Sequence, residues 1–279
     1  MNTSSRVRHR ALGVFVLLLS AVALHAQFNL NKLKEGINKL NQAADKAKER
    51  SKELTQVAKG VAGIGPEEER AIGGSVALEI VAAHGGLVRD DPITRRVNLC
   101  GKALAHYSTR PELDWRFGVL ASDTINAFSA PGGYVFLTRG LYELAASDDA
   151  LAAILAHEIA HITRKHALTI VARGEFLSGA TTMVKRQSSD ARKLETQLRN
   201  FDVGIGDIVK TMLEKGFDPK TEFEADREGR SLAMLTGYAP GGLRSVLVQL
   251  QAQKKPSETA KIFSTHPPIA ERLKNLPAP

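Results

Sequence analysis

A chain of 279 residues with 43% hydrophobic content has enough apolar material for one large folded unit with appendages. Its single cysteine, Cys100, excludes an intramolecular disulfide and a cysteine-based metal site. The formal charge of +8 raises nucleic acid as a partner, but the basic residues are interspersed with acidic ones and are not clustered with aromatics, so no nucleic-acid partner is expected.

Residues 1–26 read as a secretory signal peptide. Arg6, Arg8 and Arg10 precede the apolar run ALGVFVLLLSAVAL, and small residues suited to cleavage follow up to Ala26. The run is about 14 residues, short of the ~20 that span a bilayer as a helix, so cleavage is favoured over anchoring. No cysteine follows it, which excludes a lipoprotein. In a two-membrane bacterium the mature chain is then expected in the periplasm. Residues 27–65 carry Leu30, Leu33, Ile37, Leu40, Ala44 and Ala47 at helical spacing among Lys and Glu. This predicts an amphipathic N-terminal helix that packs or tethers, with peripheral membrane contact through 28–60 as the alternative.

One domain is expected from 66 to 279. Pro66 opens a helix with the acidic first turn Glu67-Glu68-Glu69, and Gly85-Gly86 stops it. A second helix follows Pro92 to about Tyr107, with Ile93, Val97, Leu99 and Leu104 near the 3.6 period and Cys100 as a small buried residue. His84 and His106 lack a partner at helical spacing and are not expected to bind metal. The period then changes. WRFGVL, TINAFSA and, after Pro131-Gly132-Gly133, YVFLT read as short strands of a small antiparallel sheet. Tyr134, Val135 and Phe136 are expected on an exposed edge, where an extended peptide could pair by its backbone. A short helix at 139–146 follows, and Ser147-Asp148-Asp149 caps the next.

That next helix carries LAAILAHEIAHITRKH at 151–166. His157 and His161 are four apart, so both imidazoles reach one ion from one helical face. Glu158 lies about 100° round from His157, within reach of a water on that ion without being a ligand. This is the H-E-x-x-H arrangement of zinc peptidases, two ligands plus a general base. Two imidazoles and a carboxylate among Leu151, Ile154, Leu155, Ile159 and Ile162 would be costly to bury with nothing to satisfy them. His166, nine positions after His157, falls on the opposite side of an uninterrupted helix and is not expected as a ligand.

The polar stretch 174–216 is irregular, and a mobile subdomain is expected there. Asp218-Pro219 then opens a helix with Glu222 and Asp226 on one face. Glu222 can supply the third, oxygen ligand of a His2Glu zinc site, and Asp226 can accept the outer N–H of a ligating histidine. At 264–272, Ser-Thr-His266-Pro-Pro-Ile-Ala-Glu-Arg272 places His266 just ahead of a last helix, where it is a candidate site residue.

Together NAFSAPGGYVFLTRGL (126–141), AHEIAHITRKH (156–166), EFEADREG (222–229) and STHPPIAER (264–272) resemble the gluzincin metallopeptidases of the HtpX and CAAX-prenyl-protease type, family forty-eight of the metallopeptidases. The look is nearest to the family's soluble periplasmic members. The resemblance implies a zincin-like α+β fold, predominantly helical, with the small sheet beside the H-E-x-x-H helix, and one Zn2+ per chain. It matches His157, His161 and Glu222 to the zinc ligands, Glu158 to the catalytic acid/base and Asp226 to the acid behind a ligand. It matches His266 to a histidine that can approach the metal in a closed state, and Arg272 to its usual companion, and zinc with Arg272 or His266 is expected to stabilise the oxyanion. The chain departs from the family in lacking the transmembrane helices of its integral-membrane members, and in ending soon after the His-Pro motif without a helical-repeat tail. The function expected is hydrolysis of unfolded or misassembled cell-envelope proteins. The rival expectation is a non-catalytic chaperone or assembly factor on the same fold, which the intact Glu158 disfavours.

Overall fold

The computed structural model describes residues 35, 38, 39, 41–170, 216–252 and 268–277. The signal segment 1–26, the start of the amphipathic helix, the 174–215 stretch and His266 lie outside the described residues. The chain divides into two units, 1–56 and 57–279. In the first, residues 41–56 are helical and exposed. No described helix is long and apolar enough to cross a membrane.

In the second unit, helix α1 (Pro66–Ala83) begins with Pro in its first turn, and α2 (Asp91–His106) begins on Asp90, whose side chain accepts from the Ile93 N–H. Three strands follow, β1 (Arg116–Leu120), β2 (Ala127–Ala130) and β3 (Tyr134–Thr138). Then come α3 (Arg139–Leu144), α4 (Asp148–Thr163), α5 (Pro219–Leu235), α6 (Gly242–Ala252) and α7 (Ile269–Asn275). Ser147 caps α4 by accepting from the Ala150 N–H, and Asp218 caps α5 by accepting from the Lys220 N–H. This is a predominantly helical α+β fold built round a small sheet.

The sheet differs from expectation in pairing and order. Strand β3 is central, parallel to β1 (Arg116 opposite Tyr134) and antiparallel to β2 (Ala127 opposite Leu137), so the sheet is mixed. Tyr134, Val135 and Phe136 therefore do not form a substrate edge, because the backbone of β3 is hydrogen-bonded on both sides. Of the outer strands, β2 packs against α4, but Phe128, Ser129 and Ala130 are buried along it.

Alternation along β3 divides the core. Val135 and Leu137 join Val97, Cys100 and Leu104 of α2 and the apolar residues of α4, while Tyr134 and Phe136 join Ile72, Val76 and Ile80 of α1. Cys100 is buried as expected, whereas Leu99 is 67% exposed. The inward row of α2 runs Val97, Cys100, Leu104, and Leu99 falls outside it. Glu69 is also more than a first-turn acid. It is fully buried, receives both forks of Arg110 at 2.8 and 2.9 Å, and accepts from the Gly132 N–H at 3.2 Å, which ties α1 to the β2–β3 turn. The close approach of α1 to that turn needs Gly73, since a Cβ there would meet the Pro131 carbonyl oxygen at 1.7 Å.

Candidate metal centre

The apolar length of α4 makes it the buried axis of the unit, with every residue from Ala150 to Ile162 inside. Helix α5 lies across it, and the crossing depends on Gly229. A Cβ at that position would sit 2.7 Å from the His157 nitrogen and 2.8 Å from its Cα. Glu222, Asp226 and Gly229 follow one another at i, i+4 and i+7, so the face of α5 that touches α4 is also the face that carries its carboxylates.

Three buried groups converge there. His157 Nε2 and His161 Nε2 are 3.1 Å apart, and the two Glu222 oxygens lie 3.6 Å from His157 Nε2 and 3.5 Å from His161 Nε2. Tetrahedral coordination at about 2.0–2.1 Å places donor atoms roughly 3.3 Å apart, so this triangle fits one ion. The donor set, two imidazoles and a carboxylate, is the one zinc and similar divalent ions take. Among the described residues these three form the one cluster of metal-ligating type.

Behind the triangle, Asp226 Oδ1 lies 2.9 Å from His157 Nδ1. Asp226 in turn receives Arg272 through Nε at 3.0 Å and Nη2 at 2.6 Å, with both partners buried. Its guanidinium is engaged edge-on with the Asp226 carboxylate. Burial pushes Asp226 up, but the His157 hydrogen bond and the Arg272 charge outweigh it and hold the carboxyl well below the usual range. Burial pushes His157 down, yet its hydrogen bonds to Asp226 and then Glu222 prevail and carry it up to about 10. A ligating imidazole must be neutral, so a divalent ion in the triangle would displace that proton from His157. Glu158 is itself buried, and its carboxylate is among the groups that push the Arg272 pKa up.

Three contacts at the site have no counterpart in the sequence reading. Helix α4 stops at Thr163, and Lys165 takes a left-handed backbone (φ 59°), with its N–H bonded to Ile162 O at 3.0 Å. The turn swings His166 back onto α4, against His161, and away from the far side where a continuous helix would put it. Phe217 stacks on the His161 ring with centroids 4.2 Å apart and planes 19° from parallel. Arg164, beside the turn, pairs with Glu224 and Glu228 of α5. A glycine at the helix end would have announced the turn; a lysine there gives no such signal.

Two helices that bring imidazoles and a carboxylate to one buried point, beside a small sheet, define a metallopeptidase of the zincin type. The family model described as Peptidase family M48 matches residues 93–279, more than half of the chain, and the chain belongs to that family. It is 28% identical over 186 residues to the mitochondrial metalloendopeptidase OMA1 of Schizosaccharomyces pombe, covering 66% of this chain and 52% of that one. It is 28% identical over 189 residues to the beta-barrel assembly-enhancing protease of Escherichia coli, covering 67% and 39%. A protease HtpX homolog of Salinibacter ruber is 28% identical over 189 residues, covering 57% and 65%. The chain thus spans about half, or less, of the length of the first two relatives.

Proposed function

We propose that this chain is a zinc-dependent endopeptidase that hydrolyses unfolded or misassembled cell-envelope proteins, exported by residues 1–26 and acting in the periplasm. The observation that carries the reading is the buried triangle of His157, His161 and Glu222, with donor gaps of 3.1 to 3.6 Å, and Glu158 directly after His157 in the sequence. Likeness to the beta-barrel assembly-enhancing protease supports the substrate class. His157, His161 and Glu222 would hold the zinc ion, which would supply Lewis acidity. Glu158 takes the attacking water's proton and returns it to the leaving amine. Asp226 accepts the Nδ1–H of His157 and so keeps Nε2 for the ion, and Arg272 holds Asp226 in place. Arg272 is thus a positioning residue.

The test is hydrolysis of casein by the mature chain beside Glu158→Gln, with zinc content measured on both. About one zinc in each and cleavage by the wild type alone supports the peptidase. Zinc in both with cleavage in neither favours the chaperone reading, and no zinc in either removes the site.

A further inference from the structure

The two ligand imidazoles of this site are backed differently. His157 has a carboxylate behind it, whereas the group behind His161 is another imidazole. His166 Nδ1 lies 2.8 Å from His161 Nδ1, both rings are buried, and their planes stand at 74°. His166 Nε2, on the other edge of the ring, lies 3.6 Å from Glu224 Oε2.

Two facing ring nitrogens share one proton, and only one assignment leaves His161 able to bind an ion. If His166 Nδ1 carried the hydrogen, His161 Nδ1 would be the acceptor and its own hydrogen would sit on Nε2, inside the donor triangle. If His161 Nδ1 carries it, Nε2 keeps its lone pair for the ion, and His166 is the neutral tautomer with Nε2–H turned toward Glu224. We propose that His166 is the positioning residue for His161: it accepts the Nδ1–H of that ligand and fixes its tautomer and ring orientation. The inference rests on the reading of His161 as a metal ligand. The second face of the same ring is held by Phe217, so rotation about χ2 is opposed by stacking and by the hydrogen bond together.

Two variants separate the hydrogen bond from the bulk. His166→Asn keeps an acceptor oxygen near the position of Nδ1, and His166→Leu removes the acceptor while filling the space. Zinc affinity, measured by competition with a chromophoric chelator, is expected to fall about 10- to 100-fold in His166→Leu, the usual loss when a group behind a ligand is removed, and to stay within about threefold in His166→Asn. Equal affinity of His166→Leu and wild type, or equal losses in both variants, overturns the proposal. A third measurement needs no variant. Long-range 1H–15N spectra of the zinc-loaded, histidine-labelled wild type should show His161 protonated on Nδ1 and His166 on Nε2 alone, and the opposite tautomer of His166 overturns the proposal. A wild type that binds zinc and cleaves casein while these outcomes fail leaves the peptidase standing and removes only His166. A wild type that binds no zinc removes both.

Discussion

Gly229→Ala probes the crossing that assembles the site. The new Cβ would lie 2.7 to 2.9 Å from backbone atoms of Ala156 and His157, none of which is a movable side-chain end. Ordinary contact begins near 3.4 Å, so α5 must retreat from α4 by roughly 0.7 Å at that point. Glu222 and Asp226 lie on the same face and move with it, while metal coordination tolerates displacements of only about 0.2 Å. Overpacking of this kind costs about 1–3 kcal/mol, offset by up to about 1 kcal/mol of better helix propensity. The expected results are a metal-free protein of lower Tm and a zinc affinity reduced by tenfold or more in chelator competition. Gly74→Ala, in mid-helix with its nearest new contact an ordinary 3.5 Å from the Tyr134 hydroxyl, is the control and should be neutral or stabilising. A Gly229→Ala protein with wild-type zinc affinity and an undiminished Tm would refute the argument that this glycine sets the donor triangle.

Three further outcomes are expected. Glu69→Ala leaves the partly exposed Arg110 guanidinium with Glu112 alone and removes the acceptor of the Gly132 N–H, so denaturant unfolding should show a loss of about 1–3 kcal/mol; a change below about 0.5 kcal/mol would count against the clamp. Lys165→Gly relieves a left-handed non-glycine residue and should stabilise by about 1 kcal/mol, seen as a Tm higher by about 2–4 °C. Asp226 has its folded pKa depressed, so its contribution is present above the unfolded value of about 3.9 and is lost as pH falls through the folded one. Stability of the metal-free protein, followed by urea unfolding, should therefore decline with a steeper slope below about pH 4 than that of Asp226→Asn.

Much of the site is local in sequence, which is why it could be read there. His157, Glu158 and His161 lie within five residues of one helix, and Glu222 and Asp226 are one turn apart on another, so helical periodicity alone fixes which side chains share a face. Helix starts at Pro66 and Ser147 were equally legible, because a proline in the first turn and a capping serine are local signals.

What the sequence could not decide depends on how elements meet. The order β1-β3-β2 puts the expected edge strand in the middle, since period-2 alternation says which face a residue takes but not which strands flank it. Arg272 and Asp226 are 46 residues apart, and Arg110 and Glu69 are 41 apart, so only packing could bring the members of each pair together. His166 is the sharpest case. Counted along an ideal helix it belongs on the far side, and one left-handed lysine, stabilised by the turn it makes, brings it behind His161. Local chemistry determined which residues are able to bind a metal ion. The tertiary structure decided which groups stand behind them, because hydrogen bonds between buried side chains form only where distant backbones are brought close.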